Sequence, residues 1–189
     1  MTIGDDHINW DEDAVRAAKA KWPYVDVTPL LYLDDIITRE PFDLLDLGCQ
    51  IGSWHHAWKT LRPNVRYTGV DFSLYALGVA KQRYPDSSFI YMNATQMDFD
   101  NQFDVIFTHA VLQHMNHESH EKIAPLIYRA LRPNGFLVIQ ENVTGRFYPL
   151  YWVELFTHNQ QTYGFTLMKR IDTQDGGMKY VFTKRKEVC

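Results

Sequence analysis

The sequence predicts an α/β protein built on one doubly wound, mostly parallel sheet that closes with an antiparallel hairpin. Three observations carry this expectation. Short apolar runs alternate with amphipathic stretches between residues 43 and 140, and strands read that way when helices cover both faces of a parallel sheet. The run Leu44 to Leu47 breaks at Gly48 and Gly52 and then turns helical, the strand-turn-helix opening of a βαβ unit. Two late apolar runs flank Asp-Thr-Gln-Asp-Gly-Gly, a glycine-ended connection that joins neighbouring antiparallel strands.

In chain order, Ala14, Val15, Ala17, Ala18 and Ala20 among charges predict a short helix over 11–21, stopped by Pro23, and a second helix is expected from Pro29 to Thr38. Residues 1–40 thus read as an N-terminal helical cap and 41–189 as the main domain of one compact chain. A strand at 43–47 precedes a helix from Ser53 to Leu61, with Trp54, Ala57, Trp58 and Leu61 on one stripe and Pro63 beyond its end. Arg66 to Val70 forms the next strand. Leu74 to Tyr84 follows as a helix whose stripe carries Leu74, Leu77 and Ala80, closed by Pro85. Strands are expected at 89–92, 103–108 and 136–140, and Asn116 is placed to cap a helix over 118–131. An aromatic-rich helix within 148–160 leads to the two hairpin strands, 165–171 and 178–183, which bring the total to seven.

The turn after the first strand narrows the ligand. Glycines at 48 and 52 let the backbone turn sharply, but no Lys follows Gly52, so the phosphate-cradling Gly-Lys-Ser/Thr loop is excluded. The spacing Gly-x-x-x-Gly only half meets a dinucleotide fingerprint, which favours a nucleoside without a pyrophosphate. Asp46 stands just before the turn. Asp71 ends the second strand 19 residues after Gly52, where a βαβ unit places a carboxylate for ribose hydroxyls; its structural alternative is to cap the helix starting near Ser73.

Composition bounds the rest. The chain has 189 residues, 46% of them hydrophobic, a formal charge of -4 and a pI near 6.0. The one dense basic cluster is Lys184-Arg185-Lys186, too little for an extended nucleic-acid groove. Two cysteines, Cys49 and Cys189, and an acidic start without an apolar leader point to a reducing, cytoplasmic setting, and no run is long enough to span a membrane.

Four motifs in order give the chain its resemblance. Leu-Leu-Asp-Leu-Gly-Cys-Gln-Ile-Gly (44–52), Tyr-Thr-Gly-Val-Asp (67–71), Phe-Asp-Val-Ile-Phe-Thr-His-Ala-Val-Leu-Gln-His (103–114) and Leu-Arg-Pro-Asn-Gly-Phe-Leu-Val-Ile (131–139) resemble those of the class I S-adenosylmethionine-dependent methyltransferases, in particular the small-molecule group. The resemblance implies a Rossmann-like seven-stranded sheet and S-adenosyl-L-methionine as cofactor. It further implies that Asp46, Gly48 and Gly52, with Cys49 and Gln50 in the same turn, line the methionine part, that Asp71 binds the ribose, and that Phe72 lies against the adenine. Asn93, where the family often has Asp, and the backbone of Ala94 would meet the adenine edge, while Thr108 and His109 would border the methionine chain. Gln50 departs from the family by standing where many members have glycine.

Methyl transfer from a sulfonium is an in-line displacement, for which a protein supplies mainly alignment and field. A hydroxyl acceptor benefits from a general base, and the candidates are His109, His114 and Glu141. For His114 the alternative is a packing role, and for Glu141 a cap or a pair with Arg146. His114, His117 and His120 recur every three residues, but Asn116 starts a helix among them, so no metal is expected and His117 and His120 are placed in solvent. No Asp/Asn-Pro-Pro-aromatic turn follows the fourth strand, which disfavours base methylation. Trp10, Tyr24, Arg146 and Tyr148 are the candidates on the side of a small-molecule acceptor, and Trp152 and Phe156, four apart, read as core. The expected assembly is a monomer or homodimer.

Overall fold

A computed structural model describes residues 9–19, 30, 33–38, 41–142, 151–157, 164–172 and 177–184. Among these residues lie α1 (Trp10–Lys19), β1 (Asp43–Leu47), α2 (His55–Leu61), β2 (Arg66–Asp71), α3 (Leu74–Arg83), β3 (Ser88–Tyr91), β4 (Phe103–His109), α4 (His117–Ala130), β5 (Leu131–Asn142), α5 (Tyr151–Thr157), β6 (Phe165–Asp172) and β7 (Gly177–Lys184). The sheet runs in the order β3-β2-β1-β4-β5-β7-β6, so the expected seven strands and their antiparallel end are present. Two compact units divide the chain, Ile8–Asn93 and the part from Ala94 onward.

In the first unit β1 and β2 pair in parallel from Asp43↔Arg66 to Leu47↔Val70, and β2 pairs with β3 from Thr68↔Ser88 to Asp71↔Tyr91. Leu44, Leu45, Leu47 and Val70 are buried, as the continuous apolar reading of these strands requires. The α2 stripe behaves as its spacing dictates, with Trp54, Ala57 and Trp58 buried and Phe42 set edge-on to Trp58 at 6.3 Å. The α3 stripe is rotated from the expected one. Ala76, Leu77 and Ala80 are buried while Leu74 is 67% exposed, because the inward face meets α1 through a seam of Ala14, Ile51 and Ala76. Small residues at this seam let the two helices approach. Of the helix expected over 29–38, the described part shows Leu30 in a helical turn followed by a hydrogen-bonded turn at Leu33 to Ile36.

In the second unit β4 and β5 are parallel from Val105↔Phe136 to His109↔Gln140. Strand β5 begins five residues before the sequence suggests, since Leu131 already pairs with Phe103. The segment Arg132 to Gly135 then bulges out, with Asn134 at φ 63° and Arg132 2.7 Å from Asp104, before pairing resumes at Phe136. Asn116 caps α4 by accepting from the Ser119 N–H at 2.9 Å. Trp152 and Phe156 are buried, and Phe156 joins Phe165 and Phe182 in an aromatic cluster with centroids 5.5 to 5.6 Å from it. Strand β7 runs antiparallel to both β5 and β6.

Candidate functional site

The turn after β1 is built from left-handed residues. Gly48, Gln50 and Gly52 have φ of 76°, 51° and 75°. A Cβ at Gly52 would lie 3.0 Å from the Tyr84 ring, so this glycine is required both by its backbone and by the aromatic packed over it. Cys49 points the other way. Its thiol is buried on Gly69 of β2, close enough that a Cβ there would fall 2.7 Å from Sγ, and burial pushes the thiol up with Asp46 and Asp71 adding to the rise. Its side chain is therefore packing, not a reactive thiolate.

Asp71 at the end of β2 is oriented by backbone donors. The Gln50 N–H donates to Oδ2 and the Ser73 N–H to Oδ1, both at 2.9 Å. Burial raises the carboxyl above its ordinary range, against these donors and the Phe72 N–H. The helix cap belongs to Ser73, whose Oγ accepts from the Ala76 N–H at 3.0 Å, so Asp71 does not serve as the α3 cap. Phe72 is 40% exposed, with Trp10 of α1 edge-on at 6.3 Å. Asn93 follows β3 and is partly exposed, and Ala94 opens a short 3₁₀ turn, Ala94–Gln96.

Asp46 lies deeper. It is buried and accepts from the Tyr67 hydroxyl, and burial pushes its carboxyl up to about 7, against that hydrogen bond and aided by the Asp71 charge. Behind it His55 stacks on Tyr84 at 3.8 Å, stands edge-on to Tyr67 at 4.7 Å, and shares a 2.7 Å hydrogen bond with Ser87. Burial, then the Lys59 and His56 charges, lowers its imidazole to about 4. Asp46 is thus buried just before the turn, with one oxygen given to Tyr67.

In the second unit, β4 ends at Thr108 and His109. Thr108 is fully buried and its Oγ1 has no hydrogen-bond partner among the described residues. His109 is partly exposed and pairs in register with Gln140. Ala110, at φ 53°, starts a loop whose next three N–H groups, Val111, Leu112 and Gln113, all point at the buried Glu141 carboxylate at 3.2, 3.1 and 3.1 Å. Successive N–H groups in such a loop form an anion nest, and here a side chain from β5 fills it. Burial pushes Glu141 up to about 7 against the three donors. Its oxygens are committed to backbone, so the geometry favours holding the loop over acting as a base. His114 ends that loop, partly exposed, 3.1 Å from the Gln113 amide.

The histidines of α4 divide. His117 is exposed, but His120 is fully buried, sharing hydrogen bonds with the Leu112 carbonyl at 2.7 Å and Tyr151 at 2.8 Å. The placement of His120 in solvent is therefore corrected. The missed signal was its spacing with Ile123, Ala124 and Ile127, a buried i, i+3, i+4, i+7 stripe. No group of three or more metal-ligating side chains occurs among the described residues. Of the acceptor-side candidates only Trp10 is described; Tyr24, Arg146 and Tyr148 lie outside the described residues.

A family model described as a methyltransferase domain matches residues 45–139. A trans-aconitate 2-methyltransferase of Escherichia fergusonii is 29% identical, with 61% of this chain and 50% of that protein covered. The chain thus spans about half the length of the curated relatives it matches. Among solved structures, a TehB-like SAM-dependent methyltransferase of Corynebacterium glutamicum shares 19% identity at a TM-score of 0.71, covering 94% of this chain and 97% of that one. The N-methyltransferase NodS of Bradyrhizobium japonicum, solved with S-adenosyl-L-homocysteine, shares 20% identity at a TM-score of 0.71, covering 95% and 100%. At these identities the two structures speak for the fold.

Proposed function

The chain belongs to the methyltransferase-domain family, within the class I S-adenosylmethionine-dependent enzymes, and from that premise we propose that it transfers the methyl group to an oxygen or nitrogen of a small-molecule acceptor in the cytoplasm. The observation that carries the reading is Asp71. A carboxylate offers about four lone-pair sites, and the backbone N–H groups that orient Asp71 leave part of that capacity for the hydroxyls of a ribose. The residues around it fit the cofactor. Phe72 presents a partly exposed ring suited to an adenine face, and no Lys or Arg stands in the 48–52 turn to meet a phosphate.

Bound there, the cofactor supplies an electrophilic sulfonium methyl. The protein's share is to hold and align. Asp46 and the turn 48–52 are assigned to the methionine part, Asp46 steadied by the Tyr67 hydroxyl, with Asn93 and the Ala94 backbone toward the adenine edge. In the second unit Thr108 and His109 are assigned to the methionine side, Thr108 because a buried hydroxyl without a partner among the described residues suits a ligand atom. His109 and His114 are the candidate bases for a hydroxyl acceptor, and Glu141 is assigned to the loop between them. Trp10, Tyr24, Arg146 and Tyr148 are proposed on the acceptor side. No helix among the described residues is long and apolar enough to cross a membrane.

The test is transfer of labelled methyl from S-adenosylmethionine to a panel of small carboxylic acids, phenols, amines and heterocycles, run beside a bulk RNA and a protein extract. Label in a small acceptor supports the proposal. Label confined to RNA or protein, or cofactor binding without transfer to any of them, overturns it.

A further inference from the structure

We propose that Gln50 and Ser73 are positioning residues that fasten helix α1 to Asp71, so that docking of α1 and occupation of this acid by a ribose diol reinforce one another. The inference rests on the assignment of Asp71 to a ribose. Each residue forms a two-bond bridge. Gln50 gives its backbone N–H to Asp71 Oδ2 at 2.9 Å and its Nε2 to Asp13 Oδ2 of α1 at 2.7 Å. Ser73 gives its backbone N–H to Asp71 Oδ1 at 2.9 Å, while its hydroxyl donates to Asp11 of α1. Both oxygens of one carboxylate are thereby joined, through Gln50 and Ser73, to two acids two residues apart on the same helix. Ala14, the residue after Asp13, is buried against Ile51 and Ala76, and Trp10 meets Phe72 edge-on.

Gln50 makes the bridge at a conformational cost. It holds φ 51°, a backbone region that glycine enters freely and a residue with a Cβ does not. The side chain that glycine lacks is the one that reaches α1. Asp13 is meanwhile steadied by Arg16, which takes its other oxygen at 3.0 Å. Because Asp71 shares its donors with α1, a ligand that fixes the carboxylate favours the docked helix, and the docked helix favours the ligand by the same factor.

The experiment combines calorimetry of S-adenosylhomocysteine with hydrogen exchange of the α1 amides, in the parent chain and in Gln50→Gly, Asp13→Ala and their double variant. The expected result is that each single variant binds about fivefold more weakly and the double variant no more weakly than the weaker single, since both cut one bridge. In the parent, the ligand slows α1 exchange by about the same factor, and in Gln50→Gly, which keeps only the Ser73 bridge, it slows it less. Ligand-free Gln50→Gly melts no lower than the parent, which separates coupling from a loss of stability. Gln50→Asn, which tolerates the left-handed backbone but is one methylene too short for Asp13, repeats the binding loss without the added freedom of glycine. Parent-like affinity in these variants, or α1 exchange that ignores the ligand in a parent that binds it, overturns the coupling alone. A parent that does not bind S-adenosylhomocysteine overturns the ribose assignment and the coupling together.

Discussion

Replacing Glu141 with alanine takes the acceptor away from three backbone N–H groups at once, those of Val111, Leu112 and Gln113. A buried donor left without a partner costs about 1 to 3 kcal/mol. Val111 is partly exposed and can turn to water, so Leu112 and Gln113 set the loss, roughly 2 to 6 kcal/mol in all. Glutamine is the sharper probe. Its Oε1 can still accept from Val111 and Leu112, but its amide nitrogen then faces the Gln113 N–H, donor against donor, which leaves a penalty of about 1 to 3 kcal/mol. Urea unfolding at pH 8.5, above the pKa of about 7 and so with the carboxylate ionised, measures both variants against the parent. Glu141→Ala within about 0.5 kcal/mol of the parent would refute the loop-holding role. Parent-like stability in Glu141→Gln with abolished methyl transfer would refute it differently, by returning Glu141 to direct acid-base work.

Other expectations are more compact. Gly52→Ala places a Cβ in a left-handed residue and 3.0 Å from Tyr84, and a loss of about 1 to 2 kcal/mol from the backbone alone should appear in the same denaturation assay. His120→Phe keeps volume but takes away the partner of the Leu112 carbonyl, and a fall of roughly 1 to 3 kcal/mol is expected, with α5 amides exchanging faster because Tyr151 loses a hydrogen bond. Asp46 and Glu141, both raised to about 7, hold protons in the folded chain that the unfolded chain releases above about pH 4, so the stability they give is full below that pH and is lost as pH rises to 7. His55, lowered to about 4, acts in the opposite sense, its share of stability growing from pH 4 to 6.5. Asp46→Asn should therefore flatten the fall between pH 5 and 7 by up to about 1.4 kcal/mol per pH unit, read from urea midpoints across that range.

Periodicity and turn chemistry made the sheet legible. Buried strands such as Leu44 to Leu47 have one apolar solution, and the glycine-ended connection before β7 announced the antiparallel edge. Errors arose where a third element intervened. Leu77 and Ala80 face inward as their spacing requires, but docking of α1 buries Ala76 beside them and leaves Leu74 exposed. His120 reads as exposed from the His-x-x-His repeat at the start of α4; its buried partners, Tyr151 and the Leu112 carbonyl, are distant in sequence. The acid at Asp71 was readable from its distance to the glycine turn. Its backbone donors, and the side-chain reach of Gln50 to Asp13 across 37 positions, were not, since hydrogen bonds between elements leave no period in the chain.

Calorimetric titration of S-adenosylhomocysteine into the parent and into Asp71→Ala tests the central claim most directly. The account predicts saturable one-site binding in the parent and, from the loss of hydrogen bonds to a charged acceptor worth about 1.5 to 3 kcal/mol, an affinity roughly 10- to 150-fold lower in a variant that stays folded. Equal affinity in the two proteins, or no binding to the folded parent, would contradict it.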